Sequence, residues 1–320
     1  MSNNVNKSVW MVGTGNISYD YIKVLKDLKC NVTAIGRSKS SCKYFEGVTD
    51  IYAHDGGLSS FLNKNPNVVD YAIVATNENQ LCEVTSSLIE YGVKNILVEK
   101  PASLRSRDLR RMIDLKNSYN TNVVIGYNRR FYKSIQECKE RLKKSKFPVS
   151  FSFDFTEWTH KINFKKYLKS ELDRWFLCNS SHVADLVFYL FGNPSELNSL
   201  TTGKLEWHSP SIFCGSGKTE NGNLFTYNSN WSSAGRWGIE IYFKDYKLIL
   251  KPLEKLFIQK RGELEINEVH LKQDTDLNYK DGFYTQCQLF LKNEFEEFCS
   301  LEQQLENFKW YYKITNYMEN

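Results

Sequence analysis

The sequence lacks the long apolar segments that membrane insertion and export require. No stretch of its 320 residues approaches the ~18 consecutive apolar residues of a membrane-spanning helix. Residues 1–7 have no apolar core of the kind found in secretory signals, and the first apolar run, Val9–Val12, ends at a glycine. We therefore expect a cytoplasmic protein.

Paired cysteines are also missing. The chain has eight cysteines, but none belongs to a C-x-x-C pair or to another spacing typical of metal ligands. Free thiols in a reducing compartment are expected, with neither disulfides nor a metal site.

No internal repeat, low-complexity linker or strong excess of one charge is present. The 42 basic and 37 acidic residues give a net charge of +5, and the basic residues are spread along the chain. Small clusters such as RLKKSK at 141–146 are typical of a solvated helix face, so nucleic acid is not an expected partner. A mildly positive surface suits an anionic small molecule.

Residues 1–126 alternate short apolar strands with longer amphipathic segments. Strands are predicted at 8–12, 31–35, 68–75, 95–98 and 122–125, and helices at 17–28, 80–91 and 104–119. Near-continuous apolar strands separated by helices indicate a parallel sheet covered on both faces. We predict a doubly wound Rossmann domain that binds a dinucleotide.

The pattern changes over residues 127–320. A strand is predicted at 149–155 and an amphipathic helix at 181–191, with an apolar stripe of Val183, Leu186, Val187 and Leu190. Further strands are predicted at 224–231, 238–243, 247–251 and 256–260, with a hairpin turn at Asn221-Gly222. This order indicates an α+β domain built on an open, mostly antiparallel sheet, which would bind substrate and mediate oligomerisation.

The stretch VGTGNIS, residues 12–18, lies where the first predicted strand gives way to a helix. Gly13 permits a tight turn, and Gly15 lets the backbone approach a pyrophosphate. Ser18 is small enough to take the place of a third glycine. The stretch indicates a dinucleotide site that includes Thr14, Asn16 and Ile17.

The end of the second strand lacks the acidic residue that normally binds a free ribose 2′-hydroxyl. The sequence there reads Gly36-Arg37-Ser38. Because a guanidinium and a hydroxyl suit a 2′-phosphate, we predict NADP(H) in preference to NAD(H). The alternative is that Arg37 is simply exposed in a loop.

Two further segments end strands at the same predicted sheet edge. Ala75, Thr76 and Asn77 follow one strand and would lie beside the cofactor, although Asn77 could equally cap the next helix. The run NILVEKP ends the next strand, so Glu99, Lys100 and Pro101 would lie over the nicotinamide position.

These three motifs together resemble the Gfo/Idh/MocA oxidoreductases, and the resemblance continues through GYNRRF at 126–131 and SSHVADLVFYLFGNP at 180–194. In that family the EKP lysine points at the substrate oxygen, its bond to proline is often cis, and a histidine on the later helix exchanges a proton. The resemblance therefore implies Lys100 and His182 as catalytic residues and Asn128 as a cofactor contact. It also favours a homodimer or homotetramer, and strands carrying Trp231, Trp237, Ile239 and Ile241 could bury one sheet face against a second copy.

One position departs from the family pattern. Four residues before the histidine the family has an aspartate, whereas this chain has Cys178. A thiol cannot act as a carboxylate base, so either the chemistry depends on Lys100 and His182 or the reaction has been changed or lost.

Other substrate-binding candidates are single residues near these motifs. They are Tyr127, Arg129, Trp158, His160 and Trp175, which could stack on a sugar ring or hold a phosphate. The resemblance implies an oxidoreductase that transfers hydride between nicotinamide and a sugar or nucleotide-sugar, with surface-polysaccharide biosynthesis as one setting. The alternative is a regulatory protein of the same fold that binds cofactor or sugar without turnover.

Overall fold

The computed structural model describes residues 6–271 and 278–318, which form two compact units. The first comprises the described residues up to Asn128 together with those from 278 to Leu305. The second comprises residues 129–271 and 306–318. Among the described residues, no helix is both long and apolar enough to cross a bilayer.

The first unit is built on a seven-stranded sheet. Its strands are β1 (Ser8–Val12), β2 (Asn31–Ile35), β3 (Ala53–His54), β4 (Tyr71–Val74), β5 (Asn95–Glu99), β6 (Asn122–Gly126) and, late in the chain, β15 (Cys299–Ser300). Their order is β15-β6-β5-β4-β1-β2-β3, and only β15 pairs antiparallel, with β6. The predicted parallel Rossmann sheet is confirmed.

The helices of the first unit have apolar residues at helical spacing, which gives each of them an apolar face that can be buried. They are α1 (Asn16–Asp27), α2 (Lys39–Thr49), α3 (Gly57–Leu62), α4 (Leu81–Tyr91), α5 (Ser106–Tyr119) and the later α9 (Phe283–Lys292). Helix α1 packs on α9 through the rings of Tyr21 and Phe283, whose centroids are 4.8 Å apart.

The second unit contains an eight-stranded sheet. Its strands are β7 (Ser150–Asp154), β8 (Pro194–Thr202), β9 (Ile212–Thr219), β10 (Leu224–Asn230), β11 (Gly238–Tyr242), β12 (Tyr246–Leu250), β13 (Phe257–Lys260) and β14 (Asn267–Glu268). The order is β14-β13-β12-β11-β7-β10-β9-β8, antiparallel except where β10 meets β7. The predicted α+β architecture is confirmed, and Gly222, with φ of +83°, makes the turn between β9 and β10.

Helices of the second unit are α6 (Lys133–Lys144), α7 (Lys169–Leu172) and α8 (Ser181–Phe191), and α10 (Leu301–Thr315) crosses the boundary between the units. A π-helical turn, Phe176–Ser180, leads into α8. The buried surface of α8 is wider than the predicted apolar stripe, because Ala184, Asp185 and Phe188 are also buried. This helix is enclosed on nearly every side.

The inner face of the second sheet limits how its strands could contact a second copy, and the predicted assembly itself remains a prediction. Trp231, Trp237, Ile239 and Ile241 are at most 3% exposed within the single chain, so their side chains are not available to a second copy. The alternation along β11 instead places Glu240 on the opposite face. Any partner on that face would meet a more polar surface.

Residues 278–305 pack with the first unit, although the sequence interpretation placed them in a continuous second domain over 127–320. The reason is tertiary pairing, because β15 joins the edge strand β6 and α9 packs on α1. Neither contact has a local sequence signal.

Candidate functional site

A glycine turn connects β1 to α1. Gly13 has φ of +118°, and a Cβ at this position would lie 2.2 Å from the carbonyl oxygen of Ala75. Both the backbone conformation and the neighbouring chain therefore require glycine here.

Gly15 differs from Gly13 because the fold itself does not require it. Its φ of −88° is accessible to any residue, and a Cβ would meet no atom within 4 Å. Gly15 is the N-cap of α1, and no side chain caps this helix. The open space at an uncapped helix N-terminus is a cradle that fits a pyrophosphate.

This space belongs to a cleft of about 320 Å³ at the carboxyl ends of β1, β2 and β4. The predicted cofactor residues that line it are Gly13, Thr14, Gly15, Arg37, Ser38, Ala75, Thr76 and Asn77. Asn16, Ile17, Glu99, Lys100, Pro101 and Asn128 are not part of its lining. The assignment of these six residues to cofactor binding remains a prediction.

The end of β2 explains the missing acid. A Cβ at Gly36 would lie 2.5 Å from Cys42 Sγ and 2.7 Å from Thr14 Oγ1, so a side chain here would have to displace Cys42 or Thr14. Arg37 follows and is exposed, with no described carboxylate in ion-pair contact. The Ser38 hydroxyl accepts a hydrogen bond from the Ser41 backbone N–H at 3.2 Å, so it caps α2.

Asn77 does not cap the next helix. Its backbone carbonyl accepts from the Gln80 N–H at 2.8 Å, and α4 has no side-chain cap. The alternative role considered for Asn77 is therefore wrong, and its side chain is exposed beside the cleft.

Glu99 is buried in a hydrogen-bonded network. Tyr21 Oη donates to Glu99 Oε1 at 2.5 Å, and Gln286 Nε2 donates to Tyr21 Oη at 3.0 Å. Burial raises the pKa of the Glu99 carboxyl, whereas the Lys100 charge and the Tyr21 hydrogen bond lower it. This contact ties the end of β5 to α1 and α9, so Glu99 supports the fold around its neighbour.

Lys100 follows as a half-buried residue, and its peptide bond to Pro101 is cis. The Pro101 carbonyl accepts from Gln304 Nε2 at 3.1 Å, and the same amide donates to Tyr127 Oη at 3.0 Å. Gln304 and Tyr127 are at most 1% exposed. The turn that presents Lys100 is thus fixed on one side by a buried amide.

Two residues of the GYNRRF stretch are engaged in the fold. Tyr127 contacts Gln304, and Asn128 donates from Nδ2 to the Asp281 carbonyl at 3.0 Å. Neither contact involves the glycine-turn cleft. Their assignment to substrate and cofactor binding remains a prediction.

His182 lies in the first turn of α8 and is 5% exposed. The centroid of its ring is 5.8 Å from that of Trp237. The cation of Arg129 lies 4.7 Å from the Trp237 ring, and that of Arg236 lies 4.3 Å from it. The Trp237 ring therefore lies beside His182, the predicted proton-exchanging residue, and beside the two guanidinium groups.

A buried carboxylate lies in the same region. Glu157 Oε1 accepts from Ser180 Oγ at 2.6 Å, and Oε2 accepts from Asn179 Nδ2 at 2.8 Å and lies 3.6 Å from Arg236. Burial raises the pKa of the Glu157 carboxyl, while the Ser180 hydrogen bond and Arg236 lower it. Glu157 thus anchors the turn that precedes His182.

Cys178 belongs to the π-helical turn but makes a different contact. Its Sγ lies 3.6 Å from the Glu171 carbonyl oxygen, and the residue is 5% exposed. The carboxylate expected at this position is absent, and Glu157 is a carboxylate held by the two following residues of the same turn.

The remaining candidates have distinct environments. Trp158 is 42% exposed, and its Nε1 donates to the Gly235 carbonyl at 2.9 Å. His160 is exposed, and Trp175 is buried edge-on against Tyr167 with centroids 4.9 Å apart. Of these three residues, Trp158 contacts one of the two arginines beside Trp237, with the Arg236 guanidinium 4.8 Å from the Trp158 ring.

Sequence reasoning missed Glu157, Arg236, Gln286 and Gln304. The stretch FTEWTH at 155–160 contains one signal, an acidic residue directly after an alternating strand. The other three residues lie far along the chain from their partners.

A depression of about 730 Å³ lies on the outer face of the second sheet among Ser152, Ser216, Thr226, Asn228 and Glu240. None of the predicted site residues lines it. Within residues 6–271 and 278–318, no three His, Cys, Asp or Glu side chains converge as metal ligands would.

Comparison with known families identifies the first unit. Residues 7–127 match the sequence profile of the oxidoreductase family with an NAD-binding Rossmann fold, Gfo/Idh/MocA. This part of the chain is similar to that family over the matched residues. The family predicted from the sequence is thereby confirmed, and the glycine-turn cleft lies within the matched residues.

A curated relative gives a weaker match. It is an uncharacterised oxidoreductase of Streptococcus pneumoniae serotype 4, 26% identical over 180 residues. The match covers 53% of this chain and 48% of the relative, so it spans about half the length of that protein.

Solved structures resemble nearly the whole chain in fold. Levoglucosan dehydrogenase, in complex with NADH and levoglucosan, has a TM-score of 0.81 at 14% identity, with 97% of this chain and 96% of the other covered. The WlbA dehydrogenase of Bordetella pertussis, in complex with NADH and UDP-GlcNAcA, has a TM-score of 0.73 at 14% identity, with 98% and 95% covered. At such low identities these likenesses concern the fold alone.

Proposed function

We propose that the protein is an NAD(P)-dependent oxidoreductase that acts on a hydroxyl or keto carbon of a sugar or nucleotide-sugar. The observation that carries this proposal is the open glycine turn at Gly15 in a chain of an NAD-binding family. The ligands of levoglucosan dehydrogenase and of the WlbA dehydrogenase support the substrate class. Residues 1–126 would supply the cofactor site and 127–320 the substrate site.

Cofactor preference is part of the proposal. Gly36 is tightly surrounded by Cys42 and Thr14 and carries no acid that would bind a ribose hydroxyl or repel a phosphate. Arg37 lines the cleft and has no described carboxylate partner. These features favour NADP(H) over NAD(H).

The chemical roles fall to two residues. A nicotinamide nucleotide would supply the hydride acceptor or donor. Lys100, presented by the turn that Gln304 holds, would stabilise negative charge developing on the substrate oxygen. His182 would exchange the hydroxyl proton as general acid or base.

Other features of the proposal concern substrate contacts and setting. Arg129, which is half-buried, and the exposed Trp158 and His160 are further candidates for substrate contacts. A cytoplasmic homodimer or homotetramer working in surface-polysaccharide biosynthesis fits the sequence resemblance. Light scattering that returned a 37.4 kDa particle at micromolar concentration would contradict the assembly.

The test is single-turnover hydride transfer with NADPH and NADH on a panel of sugars and nucleotide-sugars. Lys100→Met should lower the transfer rate roughly 10²- to 10³-fold, the scale for losing one oxyanion donor. His182→Asn should also slow transfer and remove one limb of the pH profile. Lys64→Met and His270→Asn, at exposed positions, are matched controls.

Two results would contradict this proposal. If Lys100→Met and His182→Asn both react at the wild-type rate, the assigned catalytic residues are wrong. If the cofactor binds but no substrate is turned over, the regulatory alternative replaces the enzyme.

A further inference from the structure

Arg129 is a half-buried cation without an acceptor. Its Nε is fully buried and has no hydrogen-bond partner among the described residues, and no described carboxylate forms an ion pair with it. The guanidinium carbon lies 4.7 Å from the Trp237 ring and 5.9 Å from the Tyr132 ring. Aromatic contacts hold this group in place but leave its donors unused.

A second guanidinium shares the same tryptophan. Arg236 lies 4.3 Å from the Trp237 ring and 4.8 Å from the Trp158 ring. Burial lowers the pKa of this guanidinium, Arg129 lowers it further, and Glu157 and Glu254 raise it. Two like charges are therefore held near each other, Glu157 offsets part of their repulsion, and an anion in contact with both would offset it further.

The neighbouring carboxylates do not fulfil that role. Glu157 is engaged by Ser180 and Asn179 and lies 3.6 Å from Arg236, and its charge also acts on Arg129 without an ion-pair contact between them. Glu254 is exposed and lies 3.5 Å from the Tyr132 hydroxyl. The donors of Arg129 thus point to an acceptor that is not part of the described chain.

We propose that Arg129 and Arg236 form an anion subsite that binds a carboxylate or phosphate group of the substrate. The inference rests on the proposed function for its link to catalysis, because His182 shares the Trp237 ring with both arginines. Planar guanidinium groups match the geometry of both oxyanions and form charge-assisted hydrogen bonds to them. The substrate class narrows to a sugar acid or a phosphorylated sugar.

Calorimetric titration of the full chain with three matched sugars tests the subsite. The ligands are glucuronate, glucose 6-phosphate and glucose, each in the presence of NADH. We expect glucuronate or glucose 6-phosphate to bind at least roughly 10-fold more tightly than glucose, the scale for one charge-assisted hydrogen bond. Preference for glucuronate assigns a carboxylate to the subsite, and preference for glucose 6-phosphate assigns a phosphate.

Variants connect the preference to the two arginines. Arg129→Gln should weaken binding of the preferred anion roughly 10- to 100-fold and leave glucose unchanged. Arg129→Lys should retain part of the preference for the anionic sugar over glucose. Arg236→Gln should independently weaken binding of the preferred anion. Arg261→Gln removes an exposed charge from the same unit and should have no effect. Circular dichroism and thermal melting establish that each variant is folded.

The subsite is overturned if the three sugars bind equally, if none binds in the millimolar range, or if Arg129→Gln and Arg236→Gln both keep the anion preference. The proposed function fails separately. Arginine-dependent anion binding without hydride transfer on any substrate would support the subsite and contradict the enzyme. Hydride transfer to neutral sugars with no preference for anionic ligands would support the enzyme and contradict the subsite.

Discussion

Gly15 allows the cofactor site to be tested apart from the fold. Replacing it with alanine adds one methyl group at a position where the backbone is extended and no atom lies within 4 Å of the new Cβ. The methyl group would occupy the space in which a pyrophosphate approaches the N-terminus of α1. Gly15→Ala should therefore impair binding of NADH and NADPH while leaving the protein folded.

The expected change in stability is small because two effects oppose each other. Removing glycine from a compatible position stabilises a protein by about 0.4–1 kcal/mol through the unfolded chain. Alanine is a poorer N-cap than glycine, by up to about 1 kcal/mol. The free energy of unfolding should thus change by less than about 1 kcal/mol. For a chain of this size that corresponds to a shift in Tm of at most about 2–4 °C.

The expected change in cofactor binding is much larger. If the methyl group prevents one charge-assisted hydrogen bond from the turn to the pyrophosphate, the loss is about 1.5–3 kcal/mol. This corresponds to a Kd that is roughly 10- to 100-fold higher for both cofactors. Titration followed by nicotinamide fluorescence, together with thermal melting, measures both quantities.

Gly13→Ala is the matched comparison. Its Cβ would lie 2.2 Å from the Ala75 carbonyl oxygen at a φ of +118°, so the backbone must move. Strain at such positions is of order 1–3 kcal/mol, and the overlap adds to it. Gly13→Ala should lower Tm clearly where Gly15→Ala does not. Unchanged cofactor affinity in folded Gly15→Ala would refute the placement of the pyrophosphate.

Three further predictions concern cofactor choice, Cys178 and acid stability. Arg37→Gln should reduce the preference for NADPH over NADH by weakening a phosphate contact, and equal calorimetric affinities of the wild type for both cofactors would contradict this. Cys178→Asp should lower the free energy of unfolding, measured in urea, by about 1–3 kcal/mol, because a buried carboxylate would face the Glu171 carbonyl oxygen. Higher activity with no loss of stability would contradict this prediction. Burial lowers the pKa of His208 to about 4 from 6.5, so the unfolded chain takes up a proton that the folded chain resists. Stability should fall as pH drops from about 6.5 to about 4, and His208→Gln should flatten that dependence in pH-resolved melts.

Local sequence patterns determined the parallel sheet and its cofactor turn. The strand at Ser8–Val12 and the helix from Asn16 are separated by a turn in which backbone sterics require Gly13. The family assignment depended on the same local motifs. These features are predictable because strand, turn and helix each involve contacts between residues close in sequence.

Local patterns failed where side chains are satisfied by distant partners. The motif did not reveal that the Glu99 carboxylate accepts a hydrogen bond from Tyr21, or that Gln304 holds the Pro101 carbonyl from about 200 positions away. The alternation of β11 was visible, yet which face would be buried depended on the helices that pack on it.

The cluster around Trp237 depended entirely on tertiary structure. Arg129, Glu157, His182 and Arg236 come from four separate segments, and no spacing rule connects them. Each residue is ordinary in isolation, since an arginine or glutamate is most often a solvated surface residue. Their burial and their distances from one another determine their chemistry, because a charged group removed from water is unfavourable unless an opposite charge or a hydrogen-bond partner lies nearby. Burial and these distances are set only by the folded chain.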